Sequence, residues 1–216
     1  MSKKLSSSGQ QRRAFLRGSA IVPAALLAPA TLVGMQNSAV AGPNRSKQTG
    51  RIFKSLQNHE NDHVEFLLAA LGNQARPMPN FVGLEQKSYH DFVLIAQALE
   101  NTGVGAYLNA APAILNPGLL AAAGSIATVE ARHAGVLNVF LDTPMTVNDE
   151  SFETPLTAEQ VVAAAGGFIA GLNGGPPLSY SDTPSDDNDI DILNFALALE
   201  FLEAEFYNIN VPKFFK

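Results

Sequence analysis

The chain reads as all-α, a four-helix bundle with one smaller helix. Three observations carry this. Four long segments place apolar residues at steps of three and four. Pro and Gly punctuate the gaps between them. No strand-like alternation of substance occurs. With 216 residues the chain suits one domain, and 46% hydrophobic against 16% charged residues supply a sizeable core.

The first helix is expected over about 51–71. Ile52, Leu56, Glu60, His63, Leu67 and Leu71 form its stripe, Gly72 stops it, and Pro77 and Pro79 lie beyond. The second is expected over about 88–109, with Phe92, Ala96, Leu99, Glu100, Gly103 and Tyr107 inward; Gly103 and Gly105 count against a helix interior. The third is expected over about 117–141, where Asn116 caps and Pro117 suits the first helical position. Its stripe is Leu119, Ala123, Ile126, Glu130, His133, Leu137 and Phe140. A long connection follows. It carries a minor helix at about 157–172, opened by the capping-box-like Thr157-Ala158-Glu159-Gln160. The last helix is expected over about 190–208, with Ile192, Ala196, Glu200, Glu203 and Tyr207 on one stripe. The acidic residues ahead of it suit a helix N-terminus.

The first 41 residues read as an address. Lys3, Lys4, Arg12, Arg13 and Arg17 precede an uncharged stretch over 18–35, and Ala39-Val40-Ala41 offers a cleavage site. Gln11-Arg12-Arg13-Ala14-Phe15-Leu16 resembles the twin-arginine export signal. The expected domains are therefore a signal peptide over 1–41 and a mature domain over 42–216. The protein is expected in the periplasm or outside the cell, without stable membrane insertion once the signal is cleaved. Pro23, Pro29 and the Ala-x-Ala site argue against an uncleaved anchor. This route carries folded proteins, so metal is expected to be loaded before export. The mature part holds nine Lys/Arg against twenty Asp/Glu, a net charge of −11. That excludes nucleic acid as a partner. The absence of Cys excludes disulfides, thiolate metal sites and Cys nucleophiles.

Two of the four His follow a Glu by three residues, at Glu60/His63 and Glu130/His133. That spacing puts carboxylate and imidazole on one helix face. The other two long helices turn Glu100, and Glu200 with Glu203, inward. One Glu from each of two helices and Glu-x-x-His from each of the other two is a recurring dinuclear carboxylate pattern. Carboxylate oxygens suit Fe and Mn, and one imidazole per ion leaves positions open for oxygen or peroxide. Unpaired core carboxylates are costly, so these Glu require a cation or partners. The bland alternative is a metal-free set of Glu–His and Glu–Arg bonds, with Arg132 as a partner. Glu200 is the better ligand and Glu203 a ligand or a hydrogen-bonding support. Tyr207, two turns after Glu200, is a support, a redox residue or packing. Glu65, Glu205 and His90 read as solvated. His59-Glu60-Asn61-Asp62-His63 also matches the zinc-protease helix, but that reading leaves Glu100, Glu130, His133 and Glu200 unexplained.

HENDHV at 59–64, LENTGV at 99–104, VEARHA at 129–134 and DILNFALALEFLEAEFY at 191–207 resemble the ferritin-like domain family that includes plant desiccation-related proteins and many bacterial exported proteins. The resemblance implies six ligands, Glu60, His63, Glu100, Glu130, His133 and Glu200, around two Fe or Mn ions. It implies oxidase or peroxide chemistry in oxidative or desiccation stress. The alternative is a non-catalytic, metal-sequestering stress protein. In that family the helix resembling 191–207 comes first, so the chain reads as circularly permuted. The 47 residues of 142–188 easily span the roughly 30 Å length of a 20-residue helix. A homodimer with the last helix exchanged, or a remnant of a split gene lacking one Glu, fits the sequence equally.

Overall fold

The computed structural model describes residues 47–215. The export signal and cleavage site at 1–41 lie outside the described residues. Among the described residues five α-helices follow one another: α1 (Lys47–Leu71), α2 (Tyr89–Ala110), α3 (Pro117–Phe140), α4 (Ala158–Ala165) and α5 (Asp186–Phe214). Two short strands, β1 (Asn80–Phe81) and β2 (Ile169–Gly171), pair antiparallel with Phe81 opposite Ile169. The long helices pack as two pairs, α1 along α5 and α2 along α3, and α5 also meets α2. Among the described residues no helix is long and apolar enough to cross a membrane.

The helix starts follow their caps. Ser88 accepts from the Asp91 N–H, and Asn116 accepts from Gly118 and Leu119 ahead of Pro117. Thr157 and Gln160 cap each other reciprocally. Ser185 accepts from the Asn188 N–H, and three acids occupy the first turn of α5. Leu71 ends α1, and Gly72 takes φ +55, a conformation that favours glycine.

Three features differ from the sequence reading. The minor helix ends at Ala165 rather than near residue 172: Gly166 and Gly167 carry the chain through a tight turn into β2. Strands of two and three residues are too short for their alternation to be visible. The last helix runs on to Phe214, with Pro212 inside its final turns. The lost hydrogen bond there is offset by aromatic packing, because Phe214 stacks 5.5 Å from Phe92 and Phe215 stacks 5.1 Å from Phe53.

α5 is buried on nearly all sides, not on one stripe. Its polar residues tie the surrounding loops to it. Asp189 accepts from the Leu115 and Asn116 N–H groups at 2.7 and 2.8 Å. Asn194 accepts from the Arg76 N–H at 2.7 Å. Asn210 accepts from the Gln86 N–H at 2.9 Å and donates to the Leu84 carbonyl. The bonds to Arg76, Gln86 and Leu84 satisfy backbone groups of buried residues that would otherwise be orphaned. α5 closes the bundle of its own chain, so the fold-back arrangement is the one this structure adopts.

The apolar core falls into two clusters. One contains Phe53, Phe92, Leu137, Leu202, Phe206 and Tyr207. The other contains Leu67, Tyr107, Ile126, Leu193 and Leu197. The inward Glu and His of the four long helices belong to neither.

Candidate metal centre

α1 supplies Glu60 and His63, α2 Glu100, α3 Glu130 and His133, and α5 Glu200. All six meet in one buried layer. Glu60, Glu100 and Glu130 are 0% exposed and Glu200 1%, burial that uncompensated carboxylates do not tolerate cheaply. His133 Nδ1 lies 2.9 Å from Glu60 Oε1 and 3.1 Å from Glu100 Oε2. His63 Nδ1 lies 3.2 Å from Glu60 Oε2, Glu130 Oε1 and Glu200 Oε2.

Two donor groups result, one of Glu60, Glu100, Glu130 and His133, the other of Glu60, His63, Glu130 and Glu200. Within each, one donor atom per residue lies within 4.8 Å of the rest, close enough to hold a metal ion. Glu60 and Glu130 belong to both.

The outer carboxylates are oriented by tyrosines, and the arrangement crosses over. Tyr107 on α2 donates to Glu200 Oε1 on α5 at 2.5 Å, and Tyr207 on α5 donates to Glu100 Oε1 on α2 at 2.6 Å. In both carboxylates the tyrosine occupies Oε1 while Oε2 faces an imidazole. Tyr207 was visible in the sequence as a candidate; the matching role of Tyr107 was missed. The signal was present, since each Tyr follows its own helix's Glu by seven residues.

The layer is short of positive charge. Glu60 Oε1 and both oxygens of Glu130 have no hydrogen-bond partner; the imidazoles that approach Glu60 Oε1 and Glu130 Oε1 lack the geometry for one. Burial, reinforced by the Glu130 charge, pushes Glu60 up to about 7 against the opposing pull of the nearby His133 and His63 imidazoles. Burial, then the charges of Glu100 and Glu200, holds Glu130 well above the usual carboxylate range. Burial also raises Glu100, opposed by the His133 charge. The imidazoles respond in kind. Burial alone would lower His63, yet the close carboxylates of Glu130, Glu200 and Glu60 push it up to about 12. Burial opposes protonation of His133 too, but Glu100 and Glu60 push it up to about 11. Protons here do the work that a cation would do better. The orphaned oxygens and the hard carboxylate donor set fit a metal centre.

Glu203 is a fifth buried glutamate, outside both groups. It and Glu130 flank Gly103, where a Cβ would stand 3.0 Å from Glu130 Oε2 and 3.6 Å from Glu203 Oε1. The glycine that weakened the reading of α2 makes room for these two carboxylates. Burial and then the Glu130 charge hold Glu203 well above the normal range. Arg132 is exposed and donates to the Thr128 carbonyl, so it pairs with none of the site carboxylates. His90 and Glu65 are exposed, and Glu205 is half-buried rather than solvated.

His59, read in the sequence only as a rival zinc ligand, lies behind His133. Its Nδ1 is 2.9 Å from His133 Nε2, the rings stack at 5.2 Å, and its Nε2 is 3.3 Å from Ser55 Oγ. With His133 protonated, Nδ1 donates to Glu100 and Nε2 donates to His59. Burial, then the charges of His133 and His63, lowers the His59 pKa and favours this neutral acceptor. His59 belongs to neither donor group, which counts against a zinc-protease site built on His59 and His63.

No curated protein and no solved structure matches the chain. The family model described as ferritin-like domain matches residues 29–143 and 188–215 and passes over most of the long connection. The matched stretches carry all six residues of the buried Glu/His layer, and the chain belongs to the ferritin-like domain family.

Proposed function

We propose that this is an exported ferritin-like metalloprotein with a dinuclear iron or manganese centre, acting on oxygen or peroxide in protection against oxidative or desiccation stress. The observation that carries the reading is the pair of donor groups sharing Glu60 and Glu130, in which Glu60 Oε1 and both Glu130 oxygens lack hydrogen-bond partners. Glu60 and Glu130, common to both groups, would contribute to holding both ions. Glu100 with His133, and Glu200 with His63, are the terminal sets. Four ligand carboxylates balance the charge of two divalent cations. A redox-active metal pair held there would supply electron-transfer chemistry toward a small oxidant. Tyr107 and Tyr207 keep one oxygen of each terminal carboxylate occupied and aim the other inward. The surrounding apolar core excludes bulk water.

Metal analysis of protein purified without chelators is the direct test. About two Fe or Mn per chain is the expected result. A single Zn would point to the protease reading, and no metal would overturn the proposal. Oxygen and peroxide consumption by the loaded protein then separates turnover from sequestration. Export is tested by replacing Arg12 and Arg13 with Lys: the precursor should remain in the cytoplasm, since the arginine pair is what the route reads.

A further inference from the structure

On the Tyr107 side of the metal centre, between α1, α2, α3 and α5, lies a cavity of about 20 Å³. One water-sized molecule needs roughly 10–15 Å³ by this measure, so the space admits one small molecule. Its wall is formed by apolar side chains and the ring of Tyr107. At the outer end Phe66 is 43% exposed, and Leu119 and Ala122 are half-buried. At the inner end Leu67, Tyr107 and Ala196 are buried. Tyr107, whose hydroxyl donates to Glu200, also lines the cavity. The space thus has an exposed residue of α1 and half-buried residues of α3 in its wall and borders the tyrosine that orients a carboxylate of the centre.

Water or hydrogen peroxide moving into this space would leave its hydrogen bonds behind and find none. An apolar cavity of this kind stays dry and takes up apolar atoms and molecules. We infer that it is a binding and access site for dioxygen, and that peroxide does not use it. The part of this inference that lies beyond Tyr107 rests on the dinuclear centre proposed above; gas binding in the cavity does not.

Crystals of the metal-free protein pressurised with xenon test the cavity itself. One xenon atom is expected between Tyr107, Ala123 and Ala196, and Ala123→Phe, whose ring fills the space, should abolish it. In iron-loaded protein, Ala123→Phe should slow oxidation by dissolved oxygen about tenfold and leave oxidation by added peroxide unchanged. Should Ala123→Phe fail to fold, Ala122→Phe obstructs the half-buried mouth without overfilling the core. Xenon absent from the cavity of the wild-type protein overturns the inference. So does an obstructing variant that leaves the oxygen rate unchanged, or one that slows both oxidants equally. A protein that takes up xenon here but binds no metal would fail the proposed function and leave the cavity assignment standing.

Discussion

Glu130 has two buried oxygens and a hydrogen-bond partner for neither. A side chain in that condition destabilises the metal-free protein and favours the metal-bound one. Glu130→Gln should therefore stabilise metal-free protein at pH 8 by on the order of 1–3 kcal/mol. At pH 4 it should have little effect, because Glu130 is then already protonated. Urea denaturation at the two pH values measures this, and metal analysis of the same variant should show loss of metal from both halves of the centre. His59 and Tyr107 support one half each. His59→Ala should weaken the His133 half about 10–100-fold, and Tyr107→Phe the Glu200 half by a similar factor. In a metal titration each variant should leave one of two binding steps unchanged; a variant that weakened both steps equally would contradict the pairing described here.

Helix α2 carries two interior glycines that its propensity alone would reject. Each is occupied by something else. Gly103 leaves room for Glu130 and Glu203. Gly105 would place a Cβ 2.5 Å from Leu156 Cγ, and its carbonyl accepts from the Leu156 N–H at 2.9 Å, so it docks the long connection. The two substitutions should separate. Gly103→Ala gains about 1 kcal/mol of helix propensity but displaces Glu130, so metal content should fall while the helical circular dichroism is kept. Gly105→Ala should cost about 1–3 kcal/mol through overpacking and leave metal content unchanged. Thermal melts with metal analysis distinguish them. Much at this scale was legible in the chain. The stripes of α1 and α3, the stop at Gly72 and the Thr157 cap are local patterns, and they appear where the spacing puts them. The burial of α5 on all sides was not legible, because it depends on loops that Asp189, Asn194 and Asn210 draw over it from distant positions. The extension of α5 to Phe214 depends likewise on Phe53 and Phe92, far away in sequence.

Across the whole molecule the buried layer links stability to pH. In the metal-free protein His63 and His133 stand far above their ordinary value, so their contribution is complete below about pH 6.5. It is lost as pH rises toward about 11 to 12. Glu60, Glu100, Glu130 and Glu203 are raised as well. A raised carboxyl favours the folded state below its unfolded value, and that advantage fades as pH climbs through the folded one, about 7 for Glu60. Every one of these groups makes the folded chain bind more protons than the unfolded one, so stability must fall as pH rises. The melting temperature of chelator-treated protein should decrease steadily from pH 5 to pH 9. Added Fe or Mn should reverse the trend, since metal displaces protons and binds more tightly as pH rises. A flat or rising profile without metal would contradict the protonated layer.

Sequence by itself determined the helices and the Glu-x-x-His pairs, because both are set by the 3.6-residue turn and need no knowledge of what lies opposite. It also held the paired Glu–Tyr spacings at 100/107 and 200/207, whose meaning stays hidden while each helix is read alone. Only the tertiary structure decided that each tyrosine bonds the other helix's carboxylate, that Glu60 and Glu130 stand in both donor groups, and that His59 lies behind His133. Those facts depend on which helices pack side by side and at what register, and that is settled by the burial of all four faces together rather than by any one segment.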